Sequence, residues 1–224
     1  IIPQELISCR EAVKRALDRI RQQQVDTCWA DAGALAFPEW AHCGDAEYAG
    51  GTIFECGYRA EIPGSAEKLW PSIQQLGGRT GYYGADILWK LRGLLDILAG
   101  GVGLNRGRRA DKKLMVGDAL DFWRVLIIDP PSHLLLLAEM KTPGEALLEI
   151  RIEPVGKDRC ELVLLSRFLP EGLAGILYWY TLYPFHQYVF IRMIRGMARA
   201  AGFELVSAPS RFTPKIKDSC SIAG

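Results

Sequence analysis

The spacing of apolar and polar positions predicts a series of helices and strands along the chain. Val13, Leu17 and Ile20 recur at helical spacing, and Ser8 with Glu11 forms a capping box in front of them, so an N-terminal helix is expected. Further along, the pattern predicts a strand over residues 53–62, helices over 66–76 and 85–99, strands over 118–128, 133–140, 146–153 and 159–168, and a long helix over 171–201.

Turn-forming residues separate the last four predicted strands. Pro130-Pro131 and Pro143-Gly144, for example, stand between consecutive apolar runs and favour short connections. Consecutive strands joined in this way form an antiparallel meander, and the long helix that follows must bury one face against it. We predict an α+β fold of the helix-grip type, in which a curved antiparallel sheet wraps around a C-terminal helix.

Composition limits the class of protein. The 224 residues are 49% hydrophobic, and 27 Lys+Arg balance 26 Asp+Glu for a net charge of +1. The hydrophobic share supports one sizeable core, whereas the balanced charge provides no basic surface for nucleic acid. The six cysteines lack a C-x-x-C pair or zinc-like spacing, so we expect free thiols in a reducing cytoplasm and no metal site.

Four segments carry a resemblance to a known family. They are GADILWKLRG (84–93), GGVGLNRGRR (100–109), GDALDFWRV (117–125) and AEMKTPG (138–144). On these segments the chain resembles a bacterial domain of unknown function that follows an NAD(P)-binding, short-chain-dehydrogenase-like Rossmann domain. That family is similar in layout to the START-like (SRPBCC) superfamily, in which a curved sheet grips a long C-terminal helix around a hydrophobic ligand cavity.

The resemblance implies a division of the chain. Residues 1–49 would be the last helix and the linker of a preceding Rossmann-like domain, residues 50–207 the helix-grip domain, and residues 208–224 a C-terminal tail. NAD(P) would belong to that preceding domain, which is also an expected partner. No cofactor is expected in this segment, because Arg106 stands where the G-x-G-x-x-G fingerprint needs its third glycine.

Aromatic residues on one predicted strand and on the last helix are the candidates for a ligand pocket. These candidates are Phe122, Trp123, Trp179, Tyr180 and Tyr183, with Asp121 and Arg124 as polar groups that would orient a head group. The same residues also fit an ordinary core in which Asp121 or Arg124 takes part in a buried ion pair. The sequence leaves both interpretations open.

A cluster of basic residues is the candidate for an anion or head-group site. Arg106, Arg108 and Arg109 lie in a glycine-rich segment, and guanidinium groups bind phosphate and carboxylate well. The competing interpretation is a solvated loop whose charges pair with acids elsewhere in the chain, such as Asp96 or Asp118.

Residues 172–191 form a stretch without a formal charge, long enough to span a bilayer at roughly 1.5 Å per residue. Its four tyrosines and His186 carry more polar groups than hydrocarbon tolerates. We therefore expect a buried helix that lines a cavity or docks on a neighbouring domain. Peripheral membrane contact is a further alternative, because Arg192, Arg195 and Arg199 follow the aromatic residues.

The sequence contains no recognisable set of catalytic residues, so the segment alone is not expected to be an enzyme. We expect it to bind a hydrophobic or amphipathic small molecule between the sheet and the C-terminal helix. The alternative is a non-catalytic interaction or regulatory module that docks on the Rossmann-like domain or a membrane surface, with self-association through an exposed aromatic face. A cavity volume distinguishes the two, because ligand pockets measure about 300–1,000 Å³.

Overall fold

A seven-stranded antiparallel sheet curves around a long C-terminal helix in the computed structural model of the chain. The structure describes residues 8–21, 38, 40, 52–78, 80–98, 100–101, 114–156 and 158–214. The helices are α1 (Cys9–Arg21), α2 (Ala66–Gln74), α3 (Asp86–Leu98) and α4 (Gly172–Ala200). The strands are β1 (Phe54–Ile62), β2 (Ala119–Leu120), β3 (Trp123–Asp129), β4 (His133–Ala138), β5 (Gly144–Gly156), β6 (Arg159–Pro170) and β7 (Ser210–Phe212).

Strand pairing confirms the predicted α+β helix-grip fold. The sheet has the order β2-β3-β4-β5-β6-β1-β7, so β3 to β6 form the expected meander and β1 joins its far side. β5 and β6 are longer than predicted because pairing continues through Pro154, opposite Cys160, and through Pro170, opposite Gly144.

One predicted strand, over residues 118–128, is divided in two. β2 and β3 pair with each other across a tight turn that begins at Asp121, whose φ is +56°. The Asp121 Oδ2 accepts hydrogen bonds from the Tyr82 hydroxyl at 3.0 Å and the Gly78 amide at 3.2 Å. These contacts to a distant segment stabilise a conformation that the local apolar pattern does not reveal.

The predicted C-terminal tail, residues 208–224, supplies the last strand of the sheet. β7 pairs with β1, so that Phe212 lies opposite Gly57 and Ser210 opposite Arg59. The Phe212 ring occupies the space that a side chain at Gly57 would need, and the Arg59 guanidinium lies 5.6 Å from the ring centroid. The sheet therefore includes residues up to Phe212.

α4 buries one side against what we call the inner face of the sheet. Trp179, Phe190, Met193 and Met197 lie on one side of this helix by their spacing, and each is at most 4% exposed. The strands contribute buried residues to the same core, among them Tyr58, Ile62, Leu148, Ile150 and Leu164. Among the described helices, none is both long enough and apolar enough to cross a membrane.

The outer face of the sheet, opposite α4, carries a second apolar cluster. Leu126, Leu135 and Leu147 form its centre, and Trp40 packs against them. The Trp40 indole donates a hydrogen bond to the Glu145 carboxylate. Because Trp40 belongs to the predicted linker, part of that segment packs on the sheet.

The predicted N-terminal helix is confirmed as α1. Its first turn is capped as the sequence indicates, since the Glu11 amide donates a hydrogen bond to the Ser8 hydroxyl at 3.3 Å. Apart from Trp40 and Pro38, the residues between α1 and β1 up to residue 51 lie outside the described part of the chain.

A buried carboxylate, Glu149, lies on the outer face and is 1% exposed. Its Oε1 lies 3.0 Å from His133 Nε2 and 3.8 Å from Arg151 Nε, and its Oε2 lies 3.2 Å from Arg167 Nη2. Burial alone would raise the pKa of this carboxyl group, but the His133 hydrogen bond and the two guanidinium groups lower the pKa below its ordinary value. Arg167 also pairs with Glu55 at 3.1 Å, so the charges form a network.

Candidate ligand-binding cavity

A cavity of about 310 Å³ lies between α3, α4 and the inner face of the sheet. The two helices form its walls, and residues of β3, β5 and β6 line the side formed by the sheet. Most of the described lining residues are aliphatic or aromatic, among them Leu88, Leu91, Leu95, Leu148, Phe168 and Phe190. The cavity therefore offers an apolar interior with few polar groups.

Trp179 is the centre of an aromatic wall. Its ring stacks on Phe168 with centroids 5.8 Å apart and on Phe54 with centroids 5.6 Å apart. The His186 ring lies 5.0 Å from Trp179. The rings packed against the indole fix its orientation, so this wall is already formed without a ligand.

Two of the five predicted aromatic residues line the cavity, namely Trp123 and Trp179. Phe122 is fully buried and does not line the cavity. Its ring centroid lies 5.7 Å from that of Trp89, which does line it. The Phe122 ring also contacts that of its neighbour Trp123, with centroids 5.5 Å apart, so Phe122 supports the cavity wall from the core.

The other two predicted aromatic residues, Tyr180 and Tyr183, do not line the cavity. Tyr180 is 63% exposed, because it lies one residue, or about 100° around the helix, from Trp179. Tyr183 is half-buried at the side of α4, where the Arg211 guanidinium lies 5.2 Å from its ring centroid. Both residues extend the aromatic surface of the helix away from the cavity.

The predicted head-group residues, Asp121 and Arg124, make structural contacts instead. Arg124 donates to both carboxylate oxygens of Glu139, at 2.9 and 3.1 Å, and to the Gly117 carbonyl oxygen at 2.8 Å. Asp121 stabilises the turn between β2 and β3. Neither side chain is among the described residues that line the cavity. The alternative, a buried ion pair, applies to Arg124.

The other candidate chemistry concerns anions, metal ions and thiols. The predicted anion site at Arg106, Arg108 and Arg109 falls outside the described residues and stays a prediction. Within the described part of the chain, no group of three His, Cys, Asp or Glu side chains could hold a metal ion. Burial raises the pKa of Cys56 and of Cys160 to about 11, so these thiols are poor nucleophiles near neutral pH.

α3 supplies a wall that the sequence did not single out. Apolar residues occur on more than one side of this helix, and Ile87 and Leu98 are 82% and 76% exposed. Hydrophobic periodicity therefore could not indicate which side lines a cavity. The residues of α3 that do so are Leu88, Trp89, Leu91, Arg92 and Leu95.

The cavity walls contain two basic side chains, His186 and Arg92, which differ in charge. Burial lowers the pKa of His186 to about 4, so its imidazole is neutral near pH 7. Arg92 is cationic. The described lining residues include no carboxylate or thiol, and their other polar side chains are Thr142, Ser166 and Tyr178.

Comparison with solved structures gives distant matches. A conserved protein from Geobacillus kaustophilus is 13% identical with a TM-score of 0.40, covering 66% of this chain and 95% of the other. A truncated norcoclaurine synthase from Thalictrum flavum is 11% identical with a TM-score of 0.40, covering 69% and 97%. The Zhui aromatase/cyclase from Streptomyces sp. R1128 is 14% identical with a TM-score of 0.41, covering 67% and 94%. No curated protein matches the chain.

A family model matches the part of the chain that forms the cavity. Residues 48–193 match the family described as "Protein of unknown function (DUF2867)". The match begins in front of β1 and ends inside α4, so it contains α3, most of α4 and every strand from β1 to β6. Because this region is more than half of the sequence, the chain belongs to the DUF2867 family.

Proposed function

We propose that the chain binds a hydrophobic or amphipathic small molecule in the cavity between α3, α4 and the sheet. The observation that carries the proposal is a cavity of about 310 Å³ with an apolar and aromatic lining. Ligand pockets measure about 300–1,000 Å³ and combine apolar walls with a few polar groups. A close-packed interior, by contrast, leaves few voids larger than a water molecule.

The hydrophobic effect supplies the affinity for such a ligand. Moving apolar surface from water into an apolar site is favourable by about 25 cal/mol per Å². The stacked arrangement of Phe54, Trp179 and Phe168 reduces the ordering that binding would otherwise require.

Filling the cavity is expected to prevent ligand uptake. Ala146 lies on β5 opposite Phe168 and lines the cavity, so Ala146→Phe places a ring in the space that a ligand would occupy. We expect affinity for the neutral dye Nile red to fall about tenfold or more, because an overpacked apolar site cannot admit it without strain. Fluorescence titration measures the change, and native mass spectrometry with organic extraction detects a co-purified hydrophobic molecule.

A matched exchange outside the cavity controls for this result. Ala174 lies in the first turn of α4 and is exposed, so Ala174→Phe is expected to bind Nile red as the wild-type chain does. Circular dichroism checks that both variants fold. Equal dye binding by the two variants and the wild type would contradict the cavity proposal.

We further propose that this segment acts as an accessory domain of an NAD(P)-binding protein and that α3 supplies its docking surface. The family resemblance is the reason for proposing the accessory role. The exposed apolar residues Ile87, Leu94 and Leu98 of α3 support the proposal that this helix docks on another domain. Hydrogen exchange of the α3 amides should be slower when the chain is joined to its preceding domain than in the chain alone. Equal exchange rates would reject the docking surface.

A further inference from the structure

Arg92 is a cation in the wall of the cavity that has no carboxylate partner among the described residues. Its Nη2 donates to the Lys141 carbonyl oxygen at 3.4 Å, and its guanidinium lies 5.7 Å from the Tyr178 ring centroid. Asp96, one helical turn further along α3, instead accepts a hydrogen bond from the Lys141 amide at 2.7 Å.

Two buried arginines of the sheet, unlike Arg92, are paired with carboxylates. Arg124 pairs with Glu139 at 2.9 Å, and Arg167 pairs with Glu55 at 3.1 Å and with Glu149 at 3.2 Å. A buried charge is costly unless it is paired, and these side chains follow that rule. Arg92 is only half-buried, and its hydrogen bond with Lys141 lies at an exposed position, so its charge stays accessible at the edge of the cavity.

None of the other described lining residues carries a negative charge that would neutralise the Arg92 guanidinium. His186 is neutral near pH 7, and the Thr142 hydroxyl donates to the Gly144 carbonyl oxygen. Burial raises the pKa of Tyr178, although the Arg92 charge and a hydrogen bond with Arg92 oppose that rise, so the phenol stays protonated beside the guanidinium. A phenolic O–H and a guanidinium side by side are both donors for an anion.

We infer that the ligand of this cavity is an amphipathic carboxylate, whose apolar body fills the cavity and whose carboxylate pairs with Arg92. The inference rests on the proposed binding function. The planar guanidinium matches a carboxylate in two parallel hydrogen bonds. The half-buried position of Arg92 reduces the screening of this pair by solvent relative to a fully exposed pair.

A pair of probes with the same alkyl chain tests the head-group preference. Decanoate and 1-decanol carry ten-carbon chains and differ in charge, and Nile red displacement at pH 7 measures both affinities. We expect the wild-type chain to bind decanoate about 10- to 100-fold more tightly than 1-decanol, as hydrogen bonds to charged groups allow. Arg92→Leu is expected to remove most of this difference while it keeps the affinity for 1-decanol.

Lys90→Leu is the matched control, since Lys90 is an exposed cation of the same helix that does not line the cavity. This variant is expected to bind both probes as the wild type does. Arg92→Lys keeps the charge and should retain part of the preference for decanoate. Arg92→Gln is a second variant that removes the charge, in case Arg92→Leu does not fold by circular dichroism.

The outcomes separate this inference from the proposed function. Equal affinity of the wild type for decanoate and 1-decanol would overturn the carboxylate inference and leave the cavity as a binding site. An unchanged preference in both Arg92→Leu and Arg92→Gln would overturn the role of Arg92 in the same way. Failure of both probes to displace bound Nile red from the wild type would overturn the inference alone, whereas failure of the wild type to bind Nile red or either probe would overturn the inference together with the proposed function.

Discussion

Glu149→Gln is expected to lower the free energy of unfolding by about 3–5 kcal/mol, the usual cost of breaking a buried ion pair from one side. Glutamine preserves the shape of the side chain but removes the negative charge that faces His133, Arg151 and Arg167. The guanidinium groups of Arg151 and Arg167 would then remain buried with less compensation. Urea unfolding at pH 7, followed by circular dichroism, measures the loss.

An exposed carboxylate on the same strand gives the matched control. Glu153 lies 3.5 Å from Arg151 Nε but is 50% exposed in its side chain. Glu153→Gln is therefore expected to cost less than about 1 kcal/mol, as exposed ion pairs do. If Glu149→Gln cost no more than Glu153→Gln, the buried network would not be a source of stability.

The expected cost depends on pH with a definite sign. The pKa of Glu149 is lowered by folding, so its contribution is fully present above the unfolded pKa of about 4.3 and is lost as pH falls through the folded value. The difference between wild type and Glu149→Gln should therefore shrink as the pH falls below the unfolded pKa of Glu149. A difference that grew on acidification would contradict the direction of the shift.

Trp179→Ala is expected to lower the free energy of unfolding by about 3–5 kcal/mol, as large-to-small changes of buried aromatic residues do. Trp179 is 4% exposed and stacks between Phe54 and Phe168. Its removal would take a stacking partner from both neighbouring rings and join the vacated volume to the cavity. Thermal and urea unfolding measure the effect on stability.

The next residue, Tyr180, provides a strict comparison because it belongs to the same turn of α4. It is 63% exposed and makes an edge contact with Phe54 at 5.7 Å, so Tyr180→Ala is expected to cost about 1 kcal/mol or less. A similar cost for the two variants would mean that α4 is rotated about its axis from the orientation described above.

Local patterns predicted most elements of this fold. The capping residues Ser8 and Glu11 located the start of α1, and turn residues such as Pro143-Gly144 located the breaks between strands. The turn at Asp121 escaped prediction because it depends on Tyr82 and Gly78, which are distant in sequence. β7 has three residues, which is too short for an alternation of apolar and polar positions to identify it. Its position depends on Gly57 of β1, because the Phe212 ring occupies the space that a side chain there would need.

The candidate site was less predictable than the fold. Trp179 stood out as an aromatic residue of the last helix, but its exposed neighbour Tyr180 looked equivalent because burial depends on the rotation of α4 against the sheet. Arg124 looked like a ligand-binding group until its bidentate contact with Glu139 was visible. Arg92 had no distinguishing sequence signal, because a cation between leucines on a helix is usually a surface residue.

The short strands at the two ends of the sheet bear on how copies of this chain meet one another. An edge strand presents unpaired N–H and C=O groups that can template pairing with a neighbouring molecule, and natural sheets limit this hazard by keeping their edges short. β2 has two residues and β7 has three, whereas β1, next to β7, has nine. By pairing with β1 from Gly57 to Arg59, β7 interrupts a long strand that could otherwise recruit a second chain into a continuous sheet. The few residues after α4 thus act against aggregation through intermolecular backbone hydrogen bonds.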